Sequence, residues 1–179
     1  MQLAILDRDG VINEEADDET RSPTDWKPIR GSLEAIARLN HAGWKVIVAT
    51  NHPVPSPQEM DSLVRINGIM QRRVREAGGV IDTVFFCPHT TADRCSCRKP
   101  APGLLQDIST RLRIKLTQVP FIGDALHDML AARAAGARPI LVKTGKGFGT
   151  AGMPEFDPSI PVYDDLYGAV EALIAVPPA

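Results

Sequence analysis

The sequence predicts an α/β protein: a three-layer sandwich in which helices cover both faces of a mostly parallel sheet, with no large cap domain. Three observations carry that expectation. Short, continuous apolar runs such as Leu3–Leu6, Val46–Ala49 and Pro139–Val142 recur along the chain, as strands buried on both faces do. Segments of helical periodicity separate them, which is the pattern of strand–helix–strand crossovers. The length of 179 residues, with 44% hydrophobic and 23% charged content, suits one domain spanning residues 1–179.

Taken in order, the first strand is Leu3–Leu6, ending on Asp7. A helix follows over Ser32–Ala42, with Leu33, Ile36, Ala37 and Leu39 at helical spacing and Gly43 as its stop. Val46–Ala49 is the second strand and ends at Thr50-Asn51. Ser56-Pro57-Gln58-Glu59 combines a capping box with proline at the first helical position. That helix runs to about Ala77, where Gly78-Gly79 ends it. Val84-Phe85-Phe86 is the third strand and delivers Cys87. Gly103–Arg113 is helical, Pro120–Ile122 is the fourth strand, and a helix runs on to Ala135. Pro139–Val142 is the fifth strand. Thr144–Pro158, rich in glycine and proline, reads as a long loop, and Asp165–Ala175 closes the chain as a helix.

In sheets of this kind ligands sit beyond the carboxyl ends of the strands. Asp7 and Asp9, Thr50 and Asn51, Cys87, and Asp124 are therefore expected at one edge. The net charge of −2 excludes a general affinity for nucleic acid or anionic membranes. The basic run Arg72, Arg73 and Arg75 reads as a solvated helix face. No run approaches the roughly 18 apolar residues of a membrane span, and no export segment precedes Asp7. The three cysteines are odd in number and crowded between positions 87 and 97. They fit a reduced metal site better than a disulfide framework, so a cytoplasmic protein is expected; a monomer is expected as well.

Asp7-Arg8-Asp9-Gly10 places two carboxylates just past a buried strand, and Gly10 permits a tight turn. Alone, Asp-x-Asp also fits a turn with surface acids. Two acids this close repel unless a cation separates them. Asp124 is the natural third oxygen ligand for Mg²⁺, a hard cation that accepts few protein carboxylates. Cys87-Pro88-His89 and Cys95-Ser96-Cys97 supply four soft or borderline ligands. They form a closed tetrahedral set for a structural Zn²⁺, with no position left for water. Such a loop also fixes Arg98 and Lys99, which follow its last ligand. His41 reads as solvated, His127 as a surface helix position that borders the site at most, and Trp26 and Trp44 as packing residues.

The ordered set of Asp7-x-Asp9, Thr50, Lys99 and Gly123-Asp124 with Asp128 resembles the haloacid dehalogenase superfamily from about Leu3 to Val142. The resemblance implies that Asp7 is a nucleophile forming an aspartyl phosphate. Asp9 is then the general acid and base, and Thr50 and Asn51 hold phosphoryl oxygens while Lys99 neutralises their charge. It implies Mg²⁺ held by Asp7, the Asp9 carbonyl and Asp124. Asp-Arg-Asp-Gly-Val-Ile-Asn at 7–13, the cysteine loop and Cys97-Arg98-Lys99-Pro100 narrow the resemblance to the D-glycero-D-manno-heptose 1,7-bisphosphate phosphatases. This implies a sugar bisphosphate substrate that loses its C7 phosphate, with Arg98 contacting the phosphate that remains. The reaction would be a step towards activated heptose for lipopolysaccharide. Histidinol-phosphate phosphatases share the zinc loop and are the alternative; a zinc-stabilised binding protein with little turnover is another. The stretches from Asp9 to Thr50 and from Asn51 to Cys87 each hold mostly one helix. The Glu14–Pro28 loop and the zinc loop are therefore expected to shape the pocket. Two positions depart from the family: His52–Pro57 replaces a Gln-Ser-Gly segment with a proline-stiffened loop, and Ala125 stands where some relatives have lysine.

Overall fold

Period-two alternation drives the first element of the computed structural model, which describes residues 2–15 and 26–175. In β1 (Gln2–Leu6), Leu3 and Ile5 pack into one hydrophobic cluster while Ala4 and Leu6 pack into another. Each face of the strand is thus covered, which the continuous apolar run requires. The order continues with α1 (Ser32–His41), β2 (Trp44–Asn51), α2 (Pro57–Glu76), β3 (Thr83–Cys87) and α3 (Gly103–Leu112). It ends with β4 (Pro120–Gly123), α4 (Leu126–Ala135), β5 (Arg138–Val142), α5 (Gly147–Ala151), β6 (Val162–Tyr163) and α6 (Leu166–Ile174).

The strands lie in the order β3-β2-β1-β4-β5-β6, and every pairing is parallel. Ile5 is in register with Ile47 on one side and Phe121 on the other. Chain direction across the sheet reverses between β1 and β4, and a crevice opens beyond the strand ends at such a switch point. Asp7 and Asp124 flank that crevice because they follow β1 and β4.

The helices split between the two faces. Leu33, Ile36 and Leu39 of α1, Met70 and Val74 of α2, and Leu166, Val170 and Leu173 of α6 share one cluster. Leu104, Leu105 and Ile108 of α3 join Ala131 and Ala132 of α4 in the other. Helix ends follow their sequence signals. The Ser56 hydroxyl accepts from Glu59 N at 3.3 Å, with Pro57 in the first turn. Gly43 and Gly78, both at φ 85°, stop α1 and α2 in a conformation that costs other residues a steric penalty. Asp165 caps α6 through Gly168 N at 2.8 Å.

Two expectations need correction. Thr144–Pro158 is not all loop: α5 forms inside it, with the Thr150 hydroxyl bonded to the Lys146 and Asp124 carbonyls. The sheet also has a sixth strand, β6, which pairs Val162 and Tyr163 with Leu141 and Val142. Residues 16–25 of the Glu14–Pro28 loop, expected to shape the pocket, lie outside the described residues. Arg72, Arg73 and Arg75 are exposed on α2 and engage Glu76 or Gln71. Trp26 and Trp44 pack against the α1/α2/α6 cluster. Among the described residues no helix is long and apolar enough to cross a membrane.

Candidate active site

Asp7 is fixed as β1 ends. Its N–H donates to the Ile122 carbonyl of β4 at 2.8 Å, which holds the two strand ends together. Its Oδ1 accepts from Arg8 N at 2.8 Å and lies 2.9 Å from Lys99 Nζ. Lys99 Nζ also lies 2.7 Å from Asp128 Oδ1 and donates to the Ala49 carbonyl at 3.0 Å. The three donors of the ammonium are thereby all engaged. The Phe121 ring centroid is 5.3 Å away and adds a cation–π contact. Asp128, fully buried, accepts from Ala125 N at 3.1 Å, so one carboxylate both caps α4 and holds Lys99.

Asn51 sets the backbone of Lys99. Its Oδ1 accepts from Lys99 N and its Nδ2 donates to the Lys99 carbonyl, each at 3.1 Å. Thr50 is buried at the end of β2. Arg98, adjacent in the chain, is partly exposed, and its Nη1 donates to the His89 carbonyl at 3.2 Å.

Crowding controls the charges. Burial, reinforced by Asp128 and partly countered by Lys99, pushes the Asp7 carboxyl up to about 8. Burial also raises Asp124 to about 7, with Asp128 and Glu15 adding and the Lys146 N–H opposing. Burial opposes the charge on Asp128 as well, but Lys99 outweighs it and holds Asp128 below the usual range. Burial opposes the charge on Lys99 too, but Asp128 and then Asp7 outweigh it and raise its pKa. Three carboxylates thus face one ammonium, and their ionised forms leave a negative excess that a divalent cation offsets. The oxygen-only character of Asp7 and Asp124 fits Mg²⁺. Space around Asp124 is equally particular: a Cβ on Gly10 (φ +80°) would lie 2.1 Å from Asp124 Oδ2. Asp7, His127 and Asp128 also offer ligand atoms within 4.8 Å of one another. Asp7 and Asp128 already hold Lys99 between them, so that trio is the weaker cation site.

The Asp9 carboxylate accepts from Arg8 Nε at 3.1 Å, Arg8 Nη2 at 2.9 Å and Asn13 Nδ2 at 3.0 Å. Arg8 is 1% exposed, and its Nη2 also lies 2.9 Å from His52 Nδ1. Arg8 has no role among the residues expected from sequence, although an arginine directly after a buried strand is itself a signal. His127 was expected at the surface. It is half-buried, 3.4 Å from Asp128, and burial lowers its pKa. With Lys146, Leu126 and Met153 it lines a cavity of about 720 Å³ beside Asp124. Lys146 and Gly145 follow β5, a strand end that the rule on strand ends also covers. In the 52–57 loop, His52 N and Val54 N donate to the Cys87 and Pro88 carbonyls, which occupies backbone donors that the prolines had already made scarce.

Cys87, His89, Cys95 and Cys97 bring their ligand atoms within 4.8 Å of one another. The Cys87–Cys95, Cys87–Cys97 and Cys95–Cys97 sulfurs are 3.6, 3.2 and 3.5 Å apart. His89 Nδ1 is 3.6 Å from Cys87 Sγ and 3.2 Å from Cys97 Sγ. No disulfide links the three cysteines. Bonds of about 2.3 Å to a central zinc at tetrahedral angles place sulfurs a little under 4 Å apart, close to this spacing. Burial, with the Cys87 and Cys95 sulfurs, pushes the Cys97 thiol up to about 12. A cation that takes the sulfurs as thiolates relieves that crowding.

The HAD-hydrolase-like family model matches residues 96–169. The D-glycero-beta-D-manno-heptose-1,7-bisphosphate 7-phosphatase of Bordetella bronchiseptica is 44% identical over 97% of this chain and 98% of its own length. Its counterpart in Neisseria meningitidis serogroup A is 46% identical over 82% of this chain and 80% of its own. The crystal structure of D,D-heptose 1,7-bisphosphate phosphatase from B. bronchiseptica, complexed with magnesium and phosphate, superposes with a TM-score of 0.93. That match has 42% identity and covers 98% of this chain and 99% of that one. Identity at this level along nearly the whole chain, on the same fold, is decisive: the chain belongs to the D-glycero-beta-D-manno-heptose-1,7-bisphosphate 7-phosphatase family of HAD-like hydrolases.

Proposed function

We propose that this chain is a magnesium-dependent phosphatase that removes the C7 phosphate of D-glycero-D-manno-heptose 1,7-bisphosphate, supplying heptose 1-phosphate for lipopolysaccharide assembly. The observation that carries this reading is Lys99 Nζ set 2.9 Å from Asp7 at the crevice, in a chain of this family. A carboxylate oxygen of Asp7 attacks phosphorus as the bond from phosphorus to the C7 oxygen breaks. Asp9 gives its proton to that leaving oxygen. Asp9 then takes a proton from water, the water oxygen attacks the aspartyl phosphate, and the phosphorus–Asp7 bond breaks to release phosphate. Three hydrogen bonds from Arg8 and Asn13 hold the Asp9 carboxyl group in position for these transfers.

Asp7, the Asp9 carbonyl and Asp124 are the groups that would hold Mg²⁺, and the Asp9 side chain is left to proton transfer. Bound there, the cation supplies positive charge to the phosphoryl oxygens and to the nucleophile's surroundings. Lys99, with its donors engaged, acts as a fixed charge beside the same oxygens. Thr50 is assigned to the phosphoryl oxygens. Asn51, assigned there as well, also seats Lys99 through its two backbone bonds. Arg98, partly exposed beside the buried Lys99, is assigned to the phosphate retained on the sugar. Residues 1–179 form one phosphatase domain whose 87–97 loop holds a structural zinc, and the protein works as a cytoplasmic monomer.

Phosphate release from the bisphosphate, measured for wild type and Asp7→Asn with added Mg²⁺, tests this. Turnover in the wild type and none in the variant is the expected result. Near-normal release by Asp7→Asn overturns the covalent mechanism.

A further inference from the structure

The segment that follows β5 reaches back to Asp124 and its neighbour Gly10. Lys146 N donates to Asp124 Oδ2 at 2.7 Å. The hydroxyl of Thr150, a buried residue, donates to the Asp124 carbonyl at 2.9 Å. The Thr144 hydroxyl donates to the Gly10 carbonyl at 2.7 Å. Gly145 (φ +56°) passes so near that a Cβ there would lie 2.2 Å from Asp124 Oδ2 and 2.5 Å from Gly10 Cα. Gly147 is as confined, since its Cβ would meet the Val142 carbonyl at 1.7 Å. The carboxylate and the carbonyl of one residue are thus held from the same segment, with no room for a side chain between them.

We infer that Thr144–Thr150 is a clamp that sets the position of Asp124 for a divalent cation, with Gly145 and Thr150 as its positioning residues. The inference rests on the reading of Asp124 as a cation ligand. Mg²⁺ demands near-ideal octahedral geometry, so a ligand oxygen displaced by even part of an ångström binds it poorly. Outer partners that orient a ligand change metal affinity by about 10–100-fold when they are lost. The two-glycine segment Gly145-Lys146-Gly147 has a matching reason: only glycine lets the backbone pass this close to Asp124 and to Val142.

The test is Mg²⁺ binding to the zinc-loaded, full-length protein, measured by calorimetry and by the Mg²⁺-induced rise in melting temperature. The variants are Gly145→Ala, Thr150→Val and Asp124→Asn. The clamp predicts that Gly145→Ala and Thr150→Val raise the Mg²⁺ dissociation constant by about tenfold or more. Zinc content should stay unchanged, and excess Mg²⁺ should restore turnover. A role in stability alone would lower the melting temperature without moving the dissociation constant. Should Gly145→Ala fail to fold, Thr150→Val decides. If Asp124→Asn loses Mg²⁺ while both clamp variants bind it as wild type does, the clamp is overturned. If Asp124→Asn also binds as wild type does, the ligand reading of Asp124 falls and the clamp falls with it.

Discussion

Lys99 Nζ and Asp128 Oδ1 stand 2.7 Å apart, and neither side chain has any exposure to solvent. Asp128→Ala removes one of the two carboxylates that hold Lys99 and the cap on Ala125 N, while Asp7 and the Ala49 carbonyl still engage the ammonium. Urea titrations should therefore show a loss of stability smaller than the roughly 3–5 kcal/mol of a charge left with no partner. Turnover should also fall, because Lys99 keeps only two of the three groups that fix its position. A variant as stable and active as wild type would show that the pair is dispensable.

Asp9 tests the proton-transfer step. Asp9→Asn removes the acid and base but leaves the fold's strands untouched, so turnover should fall by roughly 10²–10⁴-fold. Stopped assays of phosphate release at saturating Mg²⁺ measure it. A loss under about tenfold would assign proton transfer to another group.

The cysteine cluster predicts about one zinc per chain by elemental analysis. Cys95→Ser or Cys97→Ser should lose the metal and destabilise the protein, since binding of structural zinc is coupled to folding. Protein that contains no zinc, or a Cys97→Ser variant of full stability, would remove the claim.

The buried carboxyls predict how Mg²⁺ stabilisation depends on pH. Asp7 and Asp124 are raised in the folded chain to about 8 and about 7, from 3.8. A raised folded pKa contributes stability in full below the unfolded value and loses it as pH climbs through the folded one. Protein in magnesium-free buffer should thus lose stability between about pH 4 and pH 8 at these two groups. Bound Mg²⁺ needs the ionised forms and reverses the trend. The rise in melting temperature on adding Mg²⁺ should be larger at pH 8.5 than at pH 6, and an equal rise at both would contradict the assignment.

Much of this was legible in sequence because it depends on local signals. The apolar runs, the Ser56 cap and the strand-end acids each depend on neighbours a few residues away, and they placed Asp7, Asp124 and the cysteine loop correctly on the fold. What escaped has longer reach or a shorter pattern. β6 is two residues long and exists because β5 offers it a pairing edge. α5 includes Gly147 and Gly149 and no helical periodicity. The contact of Arg8 with His52 and the seating of Lys99 by Asn51 each join residues more than forty positions apart, beyond anything spacing encodes.

The central claim is substrate and position together: this chain removes the C7 phosphate of heptose 1,7-bisphosphate, and Arg98 reads the phosphate that stays. The direct measurement is kcat/KM for heptose 1,7-bisphosphate and for histidinol phosphate, in wild type and Arg98→Ala, with products identified by phosphorus NMR. The account predicts heptose 1-phosphate as product and a marked preference for the bisphosphate. Arg98→Ala should lower bisphosphate efficiency and leave the monophosphate little changed. Loss of the C1 phosphate, a preference for histidinol phosphate, or an equal effect of Arg98→Ala on both substrates would contradict it.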